Sequence, residues 1–285
     1  KDQYLPKFLQ WFTSPIFWWL KKVDQSSAER VDTFIANSKN VAAQVKKVYG
    51  REAEIIYPAV DVEFFGLKTK DERLKQKTEE ALVVSSPRFA GEAGPSTLDN
   101  YFLVVSRLVK WKRIDIAVGA CVELGKSLII AGTGPEESKL MSMSRNQLPA
   151  SQARSDSESR RAKRGEPETS NQIRFVANIS KEDLRSLYKN ANALVVTQEE
   201  DFGIATVEAL AGGTPVIAYK KGGQEEILEN KKTGLFFESQ TTNSLKDAII
   251  ASSKLKWNRS DCINAAKKFG KSNFETAIKT AINGR

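Results

Sequence analysis

The sequence predicts an α/β fold, a Rossmann-like doubly wound parallel sheet, on two observations. From residue 101 onward, short apolar runs alternate with segments of helical periodicity. That is the pattern of strands buried on both faces and of the helices that cover them. The connections are short, which suits βαβ crossovers in a parallel sheet. Ligands of such sheets bind at the carboxyl ends of the strands.

The elements follow in order. Residues 33–37 (TFIAN) read as a strand, 39–50 (KNVAAQVKKVYG) as an amphipathic helix ending at Gly50, and 54–61 (EIIYPAVD) as a strand entering a Pro-containing turn. One or two strands make no stable α/β domain. Residues 1–62 are therefore expected to be the remnant of an amino-terminal domain, with an unpaired edge beside 33–37. Residues 63–99 are polar and Pro/Gly/Ser-rich and read as a linker or insertion. Strands are expected at 101–106, 127–132, 173–178, 193–197, 214–219 and 234–238, and helices at 114–125, 181–191, 204–211 and 223–230. Together they form one domain over 100–262. Residues 142–170 are rich in Ser, Arg and Glu and poor in large apolar side chains, so they read as a mobile insertion. Its basic run 160–164 (RRAKR) reads as a solvated patch.

Composition narrows the chemistry. The 285 residues are 40% hydrophobic, as in a chain with a buried core. No run approaches the length needed to cross a bilayer, and the opening KDQYLPKFLQ lacks a secretory pattern, so a cytoplasmic location is expected. The chain contains no histidine. This excludes a Ser-His-Asp triad, a Cys-His pair and a histidine-ligated metal within these residues. Cys121 and Cys262 have no CxxC partner and read as buried, reduced thiols. A net charge of +9 suits phosphate ligands or an anionic membrane surface. Without RNP, KH or zinc-finger patterns, nucleic acid is not an expected partner. Residues 4–20 concentrate Tyr4, Phe8, Trp11, Phe12, Phe17, Trp18 and Trp19, flanked by Lys7, Lys21 and Lys22. They suit either peripheral membrane contact or a face packed on the missing domain.

The strongest chemical signal is TQEEDFGIATVEALAGGTPVIAY. A strand ends at Thr197, a loop carries Glu200, Phe202 and Gly203, and a helix starts near Ile204. The leading amides of that helix suit a diphosphate. Glu208, on its second turn, can accept from ribose hydroxyls, and Glu200 can face sugar hydroxyls. This stretch resembles the retaining family-4 glycosyltransferases of the GT-B fold, which carry an E-x7-E motif of this form. Further resemblance lies in FLVVSRLVKWKRIDIAV, LIIAGTGPEESKL, IRFVANISKEDLRSLYKNANALVV, VDTFIANSKNVAAQVKKVYG, IIYPAVDVEFF and NFETAIKTAI.

The resemblance implies that Arg107 and Lys112 hold the diphosphate, with Gly132 in a Gly-x-Gly-Pro turn and Asn178 and Ile179 beside the base. It implies that Ile204, Ala205 and Thr206 supply amides (Thr206 also a hydroxyl), and that Phe202 and Gly203 help Glu200 orient the sugar. The family usually has Gly where Arg113 stands. The implied domains are the remnant of an acceptor domain over 1–62 and a donor domain over 100–262, with a carboxy-terminal helix at 263–285 crossing back. EEDFGI and YKKGGQEEI resemble the bacterial GDP-mannose-type mannosyltransferases. The implied reaction is retaining transfer of a hexose from GDP-mannose or another nucleoside-diphosphate sugar to a glycan or lipid-linked acceptor. Neither a cofactor nor a metal is expected. The implied setting is polysaccharide synthesis in the cytoplasm, including the inner face of the membrane. The alternatives are a catalytically incomplete nucleotide-sugar-binding module, a nicotinamide dehydrogenase, disfavoured because no G-x-G-x-x-G follows a strand, and nonspecific nucleic-acid binding through RRAKR, which would show a steep salt dependence.

Overall fold

The computed structural model describes residues 7–66, 100–146 and 173–283. Residues 147–170 of the expected insertion, RRAKR included, and 67–99 of the expected linker lie outside the described residues. The chain divides into two compact units, Lys1–Tyr57 and Pro58–Arg285.

The first unit holds helix α1 (Lys7–Glu29), strand β1 (Phe34–Ala36), helix α2 (Lys39–Tyr49) and strand β2 (Ala53–Ile55). The two strands pair in parallel, Phe34 opposite Ala53. Ser38 caps α2 by accepting from the Val41 amide at 3.1 Å, which satisfies a donor that the helix cannot. Tyr49 donates to Asp24 at 2.8 Å and stacks on Phe34, tying both helices to the strand pair. Residues 7–20 of the aromatic stretch lie in α1, with Pro15 inside it, while Tyr4 lies outside the described residues. Ile16, Trp18 and Trp19 stand exposed on this helix. Among the described residues no helix is long and apolar enough to cross a membrane.

The second unit is built on six parallel strands: β3 (Tyr101–Val105), β4 (Ser127–Ala131), β5 (Ile173–Val176), β6 (Ala193–Val196), β7 (Val216–Tyr219) and β8 (Gly234–Phe237). Their spatial order is β5-β4-β3-β6-β7-β8, the doubly wound order anticipated from the alternation of runs. Successive strand residues face opposite sides. Phe102, Val104, Leu128, Ile130, Val195 and Ile217 therefore share one core with helices α4 (Ile114–Leu124) and α5 (Glu137–Asn146). Leu245, Ala248 and Ile249 bring helix α9 (Thr242–Ser253) onto the same face. The other face carries helices α6 (Lys181–Asn190) and α7 (Ile204–Ala211), with α10 (Arg259–Lys267) packed on α7.

Three differences from the sequence expectation have clear causes. Helix α5 runs on through Asn146, into the segment read as a mobile insertion, because Leu140 is buried and Met143 packs against the core. Helix α8 is only Gln224–Ile227, since Leu228 is extended and Lys231 turns the chain with its amide on the Gly234 carbonyl. Residues 58–66 pack within the second unit: Asp61 caps the short helix α3 (Val62–Phe65), and buried Phe65 sets its ring edge-on to Tyr188 at 5.7 Å. The chain closes with α11 (Lys271–Asn283).

Arg113 occupies a left-handed conformation, φ 51° and ψ 37°, between a 3₁₀ turn (Lys110–Lys112) and α4. This accounts for the glycine that the resembling family places there, because a Cβ in that region costs about 1–2 kcal/mol. The Arg113–Asp115 ion pair is over a third exposed and offsets little of that cost. Arg113→Gly is expected to stabilise the protein by about 1 kcal/mol, a rise of about 2–4 °C in thermal midpoint by calorimetry. An unchanged or lower midpoint contradicts the strain argument.

Candidate functional site

Strands β3 and β6 are neighbours, Phe102 opposite Ala193, yet their following connections leave to opposite sides of the sheet. The crevice outside their carboxyl ends is the topological switch point, where open α/β sheets bind ligands. The loop after β3 brings Arg107 and Lys112 there, and the loop after β6 brings Glu200.

Lys112 and Glu200 meet directly, Nζ to Oε1 at 2.7 Å, with side chains 20% and 26% exposed. The same carboxylate oxygen accepts from the Gln198 side-chain amide. The two loops are also joined through the backbone. The Thr197 hydroxyl donates to the Lys112 carbonyl at 2.7 Å, and Gln240 donates to the Thr197 carbonyl at 2.9 Å. Arg107 stands exposed, and its guanidinium has no partner among the described residues.

Helix α7 begins at Gly203, φ 114°, where a Cβ would lie 2.5 Å from the Gln224 amide nitrogen. The positive φ favours glycine there, since any other residue would be strained in that conformation and would also have to displace the Gln224 side chain. The Ile204 and Ala205 amides have no acceptor among the described residues, so they and the helix dipole present positive charge to the crevice. Thr206 differs from its expected role. Its amide bonds to the Gly203 carbonyl at 3.1 Å, and its buried hydroxyl donates to Gln224 at 2.8 Å. Phe202 is likewise turned inward, its ring edge-on to Phe269 at 5.2 Å. Both anchor the loop from behind.

Glu208 accepts from the Tyr188 hydroxyl at 2.9 Å. Burial raises the Glu208 pKa, while the Tyr188 hydrogen bond and the charge of Lys181 oppose that rise. Asn178, φ 51°, and Ile179 follow β5. Gly132 lies against the opening of the β3 loop, where a Cβ would sit 1.9 Å from the Ser106 carbonyl oxygen. Sequence reasoning missed Tyr188, Gln198, Gln224 and Gln240. Gln198 stands two residues before Glu200, and Tyr188 and Gln224 lie inside stretches that carry the family resemblance, but no local pattern marked their side chains as parts of the site; Gln240 had no cue. Among the described residues no group of three or more Cys, Asp or Glu is placed to hold a metal ion.

The raised pKa of Glu208 has a stability consequence. An acid whose folded pKa lies above its unfolded value makes stability fall as pH rises between the two. The cost of the buried charge is present at neutral pH and vanishes below about the ordinary value of 4.5. Glu208→Gln is therefore expected to raise the denaturant midpoint at pH 7, and the gain should disappear as the pH is brought below that value. A gain that is independent of pH would rule out this cause.

Residues 85–269 match the family described as glycosyl transferases group 1. The D-inositol 3-phosphate glycosyltransferase of Mycobacterium tuberculosis strain H37Ra is 27% identical over 231 residues, 79% of this chain and 42% of that protein. An uncharacterized glycosyltransferase of Methanocaldococcus jannaschii is 29% identical over 116 residues, 38% of this chain and 29% of that one. The chain thus spans less than half the length of these curated relatives. The crystal structure of Anabaena HepE with UDP and glucose aligns at a TM-score of 0.65 and 20% identity, covering 93% of this chain and 67% of that one. Sucrose-phosphate synthase from Thermosynechococcus elongatus aligns at 0.58 and 22% identity, covering 93% and 60%. These two likenesses corroborate the fold.

Proposed function

Because the chain belongs to the glycosyl transferases group 1 family, we propose that its crevice binds a nucleoside-diphosphate sugar and serves retaining transfer of a hexose to an acceptor hydroxyl. The observation that carries this reading is the Lys112–Glu200 contact at the switch point, beside the unclaimed amides that open α7. Positive charge for a diphosphate and a carboxylate for hydroxyls are thereby side by side.

In this reading Arg107, Lys112 and the Ile204 and Ala205 amides hold the diphosphate and stabilise the charge that grows on it as the glycosidic bond breaks. Glu200 orients the hexose, Glu208 takes the ribose hydroxyls, and Asn178 and Ile179 flank the base. Gly132 keeps the β4 turn close to the β3 loop. The acceptor oxygen attacks C1 on the face the diphosphate leaves, and the departing phosphate oxygen takes the acceptor's proton. The cationic groups supply the neutralisation that a metal would otherwise give, so metal-independent transfer is part of the proposal. The acceptor is a glycan or lipid-linked glycan, met in the cytoplasm or at the inner membrane face.

GDP-mannose is the proposed donor, on the resemblance of EEDFGI and YKKGGQEEI. A UDP-hexose is the second reading, favoured by the UDP and UDP-glucose bound in the HepE structures. Calorimetric titration with GDP, UDP, GDP-mannose and UDP-glucose decides between them. Failure of all four to bind would refute the nucleotide-sugar reading. Binding without transfer to any mannoside or lipid-linked acceptor would make the chain a binding module.

A further inference from the structure

We infer that Tyr188 is a positioning residue for ribose recognition, holding the Glu208 carboxylate toward the crevice through its hydroxyl. The inference rests on the proposed role of Glu208.

Tyr188 is fully buried. Its ring is fixed by the edge of Phe65 at 5.7 Å, and its hydroxyl reaches Glu208 Oε2 at 2.9 Å. The neighbouring backbone is pinned as well, since the Thr214 hydroxyl donates to the Tyr188 carbonyl. Glu208 itself is only partly buried. One carboxylate oxygen is therefore engaged from inside the fold, and the other is left for a ligand. A glutamate has three rotatable side-chain bonds, and a fixed phenol selects among its rotamers before a ligand arrives, lowering the ordering cost of binding. The same hydrogen bond favours the ionised carboxylate, the form able to accept from two hydroxyls. The titratable and charged groups that face Glu208 are Tyr188 and Lys181, both on α6.

The test is Tyr188→Phe, which removes one oxygen and keeps the ring on Phe65. Affinities of the whole chain for UDP and GDP, and for their 2′,3′-dideoxy counterparts, are measured by calorimetry across pH. The expected result is a loss of about fivefold for the ribonucleotides, no change for the dideoxynucleotides, and an acid limb of ribonucleotide binding displaced to higher pH. In a Glu208→Gln background the same substitution should add nothing. Ribonucleotide affinity equal to wild type, or an equal loss for both nucleotide classes, overturns the inference. Wild-type protein that binds ribo- and dideoxynucleotides equally well overturns it together with the ribose role of Glu208. A wild type that binds neither class removes the nucleotide-sugar reading itself.

Discussion

Lys112→Ala is expected, on the proposed role of Lys112, to lower the rate of donor turnover by about 10²–10³-fold, the effect of removing one preorganised stabilising group from a developing anion. The fold should survive. What the surrounding structure uses is the Lys112 backbone carbonyl, which accepts from Thr197, and that bond does not need the side chain. Among the described residues the ammonium pairs with Glu200, which keeps Gln198 as a donor after the substitution. The loss should therefore fall mainly on kcat, with an unchanged far-ultraviolet spectrum and a similar thermal midpoint. Nucleotide release from the donor, followed at saturating donor, reads the effect directly. Turnover within a factor of two of wild type would remove Lys112 from the diphosphate site.

Gly132→Ala is expected to have the largest effect on stability of any single methyl addition at the crevice. Its φ is +147°, and the new Cβ would lie 1.9 Å from the Ser106 carbonyl oxygen and 3.0 Å from its carbon. The obstacle is backbone, not the end of a side chain that could swing away. It lies where β3 and β4 leave the sheet, held by the Ser106 amide on the Ala131 carbonyl and the Gly132 amide on the Val176 carbonyl. Relief would require parting these strand ends. A cost of about 3–5 kcal/mol follows from backbone strain combined with overpacking. That is a large fraction of the about 5–15 kcal/mol that holds a typical domain. Soluble yield and the urea midpoint check it; a midpoint near wild type would mean that the turn can relax.

The sheet was legible in the sequence because five of its strands, β3, β4, β6, β7 and β8, are mostly buried and appear as short apolar runs, whereas the edge strand β5 is partly exposed and carries Arg174. LVV at 103–105 and LII at 128–130 are examples of such runs. The helix of Glu208 was legible to the residue, since Gly203 and Gly212 bracket Ile204–Ala211. What escaped were features set by distant parts of the chain. Tyr188 falls on the buried side of an amphipathic helix, where an aromatic normally signals packing. Nothing local reveals that its hydroxyl reaches a carboxylate 20 positions away. Phe202 sits beside Glu200 in sequence but on the inner side of the loop, because Phe269 offers it a ring to pack against. Thr206 looked like a phosphate ligand at a helix start, yet Gln224 claims its hydroxyl first. The first unit was harder to read. Its strands are short, and α1 carries large apolar residues exposed on its surface.

The pairing of Lys112 with Glu200 carries one more implication for a crevice of this design. Each group is the other's placeholder. An incoming phosphate that draws the ammonium away strands a carboxylate, and a lone sugar that courts the carboxylate must compete with a full positive charge. A molecule bearing both halves resolves the exchange in one step, anion to cation and hydroxyls to acid. On the proposed reading, the crevice acts as a two-key lock, set against stray phosphate and against free hexose alike.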